Sequence, residues 1–212
     1  MDINNIKNKG GKPVFDLINQ LKIKEMKNKF KDPNVLTETL VDLHLSGVSP
    51  NKNSNPVLFI FTIEFDDQMK ANLLIDKTYQ ISKEYSKSMV EKILYKVYDD
   101  SGKKDITKKV ESVFSFENLL FENYTNEDPL IEKKKDASNK NKNWVSVKTL
   151  DEKYHFINWK LYLEERFKSS GIDSTQINDE FTVNLSDEKY LERLNLVLSK
   201  VDGETLANYF EV

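Results

Sequence analysis

The residues able to do chemistry in this 212-residue chain are few, and their spacing does not match the common catalytic arrangements. His44 and His155 are its two imidazoles. A helical zinc-peptidase site needs His-Glu-x-x-His, which puts both imidazoles on one helix face beside the glutamate. These two lie far apart in the chain. Each reads as a half-buried structural residue, His44 after a leucine-rich helix and His155 between Tyr154 and Phe156. The carboxylate pairs Asp66-Asp67 and Glu164-Glu165 are adjacent residues, which diverge on a strand or a helix, so they read as solvated surface. Asp99-Asp100-Ser101-Gly102 lacks the alternating ligands and distal glutamate of a calcium loop. Gly102-Lys103 lacks the upstream glycine and the following Ser or Thr of a phosphate loop. Both read as ordinary turns. Lys133-Lys134-Lys135, with Lys140 and Lys142, is interleaved with Asp136 and asparagine and not with the aromatics that stack on bases. Asn123-Tyr124-Thr125 and Asn184-Leu185-Ser186 fit the glycosylation pattern, but asparagine is common enough here for chance matches. The residues alone therefore assign no catalytic, cofactor-binding or metal-binding position, and no cofactor.

Composition narrows the class further. Lys and Arg total 32 against 35 acidic residues, a net charge of −3, and this balance argues against a dedicated binder of nucleic acid or anionic membrane. The absence of cysteine excludes disulfides, thiolate metal sites and a cysteine nucleophile. No apolar run is long enough to span a bilayer, and Met1-Asp2-Ile3-Asn4-Asn5 opens no apolar leader segment. Twelve Phe, nine Tyr and two Trp supply a packed interior despite the polar average.

The pattern predicts a mainly α protein, a multi-helix domain with one small antiparallel β-hairpin and a short extra β-run. Gly10-Gly11 marks a break and Pro13 suits a first helical position. Val14, Leu17, Ile18, Leu21, Met26 and Phe30 then follow at helical spacing. Asp32-Pro33 opens a second helix through Val35, Leu36, Leu40, Val41, Leu43 and Leu45 to about Gly47. The run from Val57 to Phe65, the Asp66-Asp67-Gln68 turn and Ala71 to Ile75 predict the hairpin, at about 57–76, as the one sizeable sheet. A helix follows with Tyr85, Met89, Ile93 and Val97 on one face. The next is long, capped by Asp105 or Thr107, and carries Val110, Val113, Phe114, Phe116, Leu119, Leu120 and Tyr124. Residues 132–143 predict a mobile polar loop. Ser146 starts a short helix with Leu150 and Tyr154. A helix then runs from Ile157-Asn158-Trp159 through Leu163 and Phe167 to a turn at Gly171, before a β-like run at Phe181-Thr182-Val183. Ser186 and Asp187 suit the start of a helix that buries Leu191, Leu194, Leu198 and Val201. Thr205 to Phe210 forms the last helix, and its Leu206, Tyr209 and Phe210 face is expected to be an exposed apolar patch that offers a homo-oligomer contact.

The order of these segments resembles the neprilysin and endothelin-converting-enzyme family of zinc metallopeptidases. Ile157-Asn158-Trp159, Phe181-Thr182-Val183, Glu188-Lys189-Tyr190-Leu191 and Leu206-Ala207-Asn208-Tyr209 follow one another as in that family. Gly10-Gly11-Lys12-Pro13 is similar to its Gly-Gly-Trp-Pro start, with Lys12 in place of the aromatic. Leu58-Phe59-Ile60-Phe61, Asp66-Asp67 and Leu74-Ile75-Asp76 are similar to its hairpin. Val147-Lys148-Thr149-Leu150 is similar to its Met-Thr-Leu helix. The resemblance spans nearly the whole chain and implies a single partial N-terminal helical (lid) domain over 1–212, ending before the catalytic domain. The family's zinc motif, its downstream zinc-binding glutamate and its Asn-Ala pair lie in that catalytic part. Its cysteine-rich segment and its Leu-Pro-Ser-Arg-Asp-Tyr-Tyr element are absent here. No catalytic or metal residue therefore carries over.

In that family the helical domain covers the active-site chamber and limits substrate size. The first expectation is a non-catalytic, neprilysin-like protein, a pseudoenzyme that binds a peptide or protein partner through the hairpin and the Ile157–Phe167 helix. The second is the lid portion of a zinc endopeptidase whose catalytic part lies outside this chain. The third is an unrelated helical interaction domain, favoured by a hairpin that does not pack on the C-terminal helices. On each of these the chain alone is not an enzyme. The family resemblance implies a secreted, extracellular protein.

Overall fold

The computed structural model describes residues 16, 19–45, 61–65, 70–75, 87, 88, 91, 92, 94, 95, 103–121 and 143–211. Its described elements are α1 (Ile23–Met26), α2 (Pro33–Leu45), β1 (Phe61–Phe65), β2 (Ala71–Ile75), α3 (Lys103–Phe121), β3 (Trp144–Ser146), α4 (Val147–Lys153), α5 (Trp159–Ser169), β4 (Thr182–Leu185), α6 (Glu188–Lys200) and α7 (Gly203–Glu211). The fold is mainly α with a small mixed sheet. No described helix is long and apolar enough to cross a membrane. The chain divides into two compact units: Met1–Phe30 with Gln80–Leu119 and Val201–Val212, and Lys31–Tyr79 with Leu120–Lys200.

In the first unit, the helical spacing expected from Pro13 onward is interrupted. Lys22 adopts φ 52° immediately before α1, a left-handed conformation that ends one helical run and starts another. This phase change buries Ile23, which the expected helix face omitted, and leaves Leu21 and Met26 only half-buried. Phe30 is buried as expected and meets the Phe210 ring edge-on at 5.3 Å. The long helix α3 begins at Lys103, ahead of the caps expected at Asp105 or Thr107, so that Asp105 lies in its first turn. Ile106, Val110, Val113 and Phe116 are buried along it, while Leu119 is exposed.

Helix α7 is capped by Asp202, whose Oδ1 accepts from the Thr205 amide at 2.7 Å. Gly203 lies so close to the Lys27 carbonyl that a Cβ there would overlap it. The apolar patch expected at the chain's end is overturned: Leu206 and Phe210 are buried and Tyr209 is half-buried, packed edge-on against Phe116 at 5.1 Å. Two polar ties hold the same helix, a Lys109–Glu211 ion pair and a 3.1 Å bond from Asn208 to Ser112.

In the second unit, Pro33 opens α2 as expected and Asp32 caps it. Leu36, Leu40, Val41 and Leu43 are buried, but Leu45 at its end is exposed. The expected hairpin forms, with Phe61–Phe65 antiparallel to Ala71–Ile75. It is not the whole sheet, as the sequence suggested, because β4 joins β2 in parallel and β3 joins β4 antiparallel, in the order β1-β2-β4-β3. The reason is tertiary: Thr182–Leu185 alternates exposed and covered residues, so its Val183 and Leu185 need an apolar neighbour. Ala71 and Leu73 lie opposite them and are also buried. On the other face, Asn72 and Asn184 are adjacent and their amides bond at 3.0 Å. Trp144 and Val145 belong to β3, and Ser146 ends that strand while capping α4 through the Thr149 amide.

Helix α5 ends in a Schellman arrangement. Gly171 sits at φ 72°, and the amides of Gly171 and Ile172 bond to the carbonyls of Lys168 and Phe167. Asp187, the second of the two expected caps, holds the start of α6 through the Tyr190 amide. Leu191, Leu194 and Leu198 are buried there as expected. The predicted elements at 57–60, 79–86, 89, 93 and 97–102, the polar loop at 132–142 and Tyr124 lie outside the described residues.

Candidate functional site

The hairpin and the Ile157–Phe167 segment, expected from the sequence to form the binding surface, belong to one unit and touch. Phe65 at the end of β1 packs edge-on against Phe167 of α5 at 4.3 Å, and Phe167 in turn meets Phe181 at 5.6 Å. Aromatic edge-to-face contacts of this kind fix orientation as well as burying area. The hairpin is thus joined to α5 through side chains and to β4 through the sheet.

The Ile157-Asn158-Trp159 element is a junction of three helices. Asn158 caps α5, its Oδ1 accepting from the Leu161 amide at 2.9 Å. Its Nδ2 donates to Asn34 Oδ1 at 2.9 Å and its backbone amide donates to Thr37 Oγ1 at 2.8 Å, both on α2. The Thr37 hydroxyl is also a donor, to the Pro33 carbonyl at 2.6 Å. Trp159 is fully buried; its Nε1 donates to the Tyr154 carbonyl at 2.7 Å and its amide to Asp151 Oδ1 at 2.9 Å. Burial pushes the Asp151 carboxyl up, against the opposing pull of that amide bond. Ile157 is buried beside them. These bonds meet the demand that buried polar groups be paired.

A second knot joins α4 to α6. The Glu188 carboxylate accepts from Lys153 at 3.1 Å, Tyr154 Oη at 3.2 Å and Asn143 Nδ2 at 3.3 Å. The Lys153 bond leads in holding the Glu188 pKa down.

The two histidines part company. His44 is buried within α2, where Nδ1 shares a 2.8 Å hydrogen bond with Tyr162 Oη of α5. Burial, with the nearby Arg166 charge second, lowers the His44 pKa to about 3, so the ring is neutral at ordinary pH. Burial likewise holds the Tyr162 phenol above its ordinary range. His155 was expected to be half-buried but is exposed in the turn between α4 and α5. The turn reverses there, and the flanking Tyr154 and Phe156 take the inward positions. Glu165 is a surface residue paired with Lys168 at 2.7 Å. Asn184 of the second glycosylation pattern lies inside the sheet, its amide nitrogen donating to Asn72. Asp66-Asp67, Asp99–Gly102, Asn123 and the lysine run lie outside the described residues.

The positions the sequence did not reveal are Thr37, Asp151, Tyr162 and Arg166. Their partners are remote in the chain or carry no motif, and polar residues inside a leucine-rich helix were the one available hint. Among the described residues there is no group of three or more His, Asp and Glu side chains arranged to hold a metal.

Comparison with known proteins supplies the remaining finding. The model of the N-terminal region of peptidase family M13 matches residues 1–212. No curated protein and no solved structure matches the chain.

Proposed function

Because the chain belongs to peptidase family M13, the neprilysin and endothelin-converting-enzyme family, and represents its N-terminal region, we propose that it binds a peptide or protein partner and does not cleave it. The observation that carries this reading is the match to the family's N-terminal region over 1–212; the family resemblance implies that this region covers the chamber. The sequence agrees, since its two histidines lack the His-Glu-x-x-His spacing that peptide hydrolysis in this family needs. The proposed binding wall is the hairpin with α5. Its Phe65–Phe167 contact and the β2–β4 pairing give it a fixed shape, and a rigid platform lowers the entropy cost of holding a flexible peptide.

The test uses the purified 212-residue chain with labelled peptides of several lengths. Fluorescence anisotropy is expected to show saturable binding, and a fluorogenic peptide assay with added zinc is expected to show no turnover above blank. Turnover that a chelator abolishes would overturn the non-catalytic reading. A strictly linear, unsaturable anisotropy response would remove the binding role.

A further inference from the structure

The polar ties between α2 and α5 differ in kind from one end of α2 to the other. At its start, the Asn34 amide and the Thr37 hydroxyl bond to Asn158, and both bonds join neutral groups. At its end the tie is His44, in the last turn, whose Nδ1 shares a 2.8 Å bond with Tyr162 Oη. The two rings also meet edge-on, with centroids 5.8 Å apart, and both side chains are buried. Of these ties, the last is the one whose charge can change near neutral pH.

The place the ring occupies suits its neutral form. Among the described residues, the titratable and charged groups acting on it are Tyr162 and Arg166 of α5. Burial keeps Tyr162 a neutral phenol, and Arg166 carries a like charge. The carboxylates of α2 itself, Glu38 and Asp42, lie on its exposed side. An imidazolium held inside would therefore meet a neutral oxygen and a repelling cation, away from water. Turned outward, the same cation would be hydrated at the C-terminal end of α2, where the helix dipole favours it. Leu45, the next residue, is already exposed. The two positions thus prefer opposite charge states of one side chain.

We propose that the last turn of α2 is an acid-released latch, in which protonated His44 leaves Tyr162 and carries that turn off α5. The bonds to Asn158 keep the first turns of α2 in place, so the opening is local and the second unit stays folded. This goes beyond the peptide-binding reading and does not depend on it.

The test is amide hydrogen exchange of the full chain at pH 7 and pH 5, read residue by residue and corrected for the intrinsic chemical rate. With a His44 pKa of 6.5 outside and about 3 inside, the open population is expected to rise about 25-fold between those two pH values. The amides of Val41, Leu43 and His44 are expected to lose protection by that factor. The Leu161 amide, at the Asn158 cap, and the Leu185 amide, in the sheet, are expected to keep theirs. Unchanged protection at 41–44 overturns the latch, and so does an equal loss at Leu161 and Leu185, which would be general unfolding. His44→Gln, which can still bond to Tyr162 but does not titrate, is expected to abolish the pH dependence at 41–43. Persistence of that dependence in the variant also overturns the proposal, and should the variant not fold, the native chain decides the matter alone.

Discussion

At its first turn, α5 is tied to α2 and α4 by the bonds of Asn158 and Trp159, and the bonds run to other parts of the protein. At its last turn, Arg166 has a buried nitrogen with no such bond. The same eleven-residue helix thus carries a hydrogen-bonded polar junction at one end and a buried nitrogen without a hydrogen bond at the other. A satisfied buried network specifies a fold, because breaking any part strands its partner. A buried nitrogen without a hydrogen bond adds nothing of that kind to the fold. Of the segments that carry the family resemblance, Ile157-Asn158-Trp159 sits at the bonded end, where it reports architecture.

This contrast is sharpened first by removing Trp159. Trp159→Ala takes away a fully buried indole and its bond to Tyr154, and is expected to destabilise the protein by about 3–5 kcal/mol in chemical denaturation. A loss below about 1 kcal/mol would show that the junction does not organise the unit.

Acid comes next, through the His44–Tyr162 contact midway along α5. The His44 pKa falls from 6.5 to about 3 on folding, so between those values the unfolded chain binds the extra proton. The contribution of a neutral, buried His44 is therefore complete above pH 6.5 and declines as pH falls toward 3. At pH 5 the loss is roughly 2 kcal/mol. His44→Gln is expected to flatten this slope in stability measured from pH 7 to 4; an unchanged slope would place the acid sensitivity elsewhere.

The smallest effect is at Asn158. Asn158→Ala removes the α5 cap and the bond to Asn34, an expected cost of about 1–2 kcal/mol. Asn158→Asp keeps the capping oxygen and is expected to recover most of it. Equal losses in both variants would mean that the link to α2, and not the cap, is the important bond.

Much of this architecture was legible from local chemistry. The Asp32-Pro33 helix start, the hairpin, the Gly171 turn and the Asp187 cap are each dictated within a few residues. The errors arose where a distant neighbour decides. Phe181–Val183 looked like an isolated β-run because the strand beside it, β2, lies more than a hundred residues earlier in the chain. Leu206 and Phe210 looked like an exposed patch because Phe30 comes from the far end of the sequence. The break at Lys22 left no trace in the apolar spacing.

By itself, then, the sequence determined the helical character of the chain, its family and the absence of a His-Glu-x-x-His site, since periodicity, motif order and residue counts are local or additive properties. Only the tertiary structure decided that His44 is a neutral partner of Tyr162, that Trp159 is buried while Asn158 bonds to α2, and that the Arg166 Nε is buried without a hydrogen bond. Whether a polar group is satisfied depends on what lies within hydrogen-bond reach in space, and that is set by packing between segments remote in the chain.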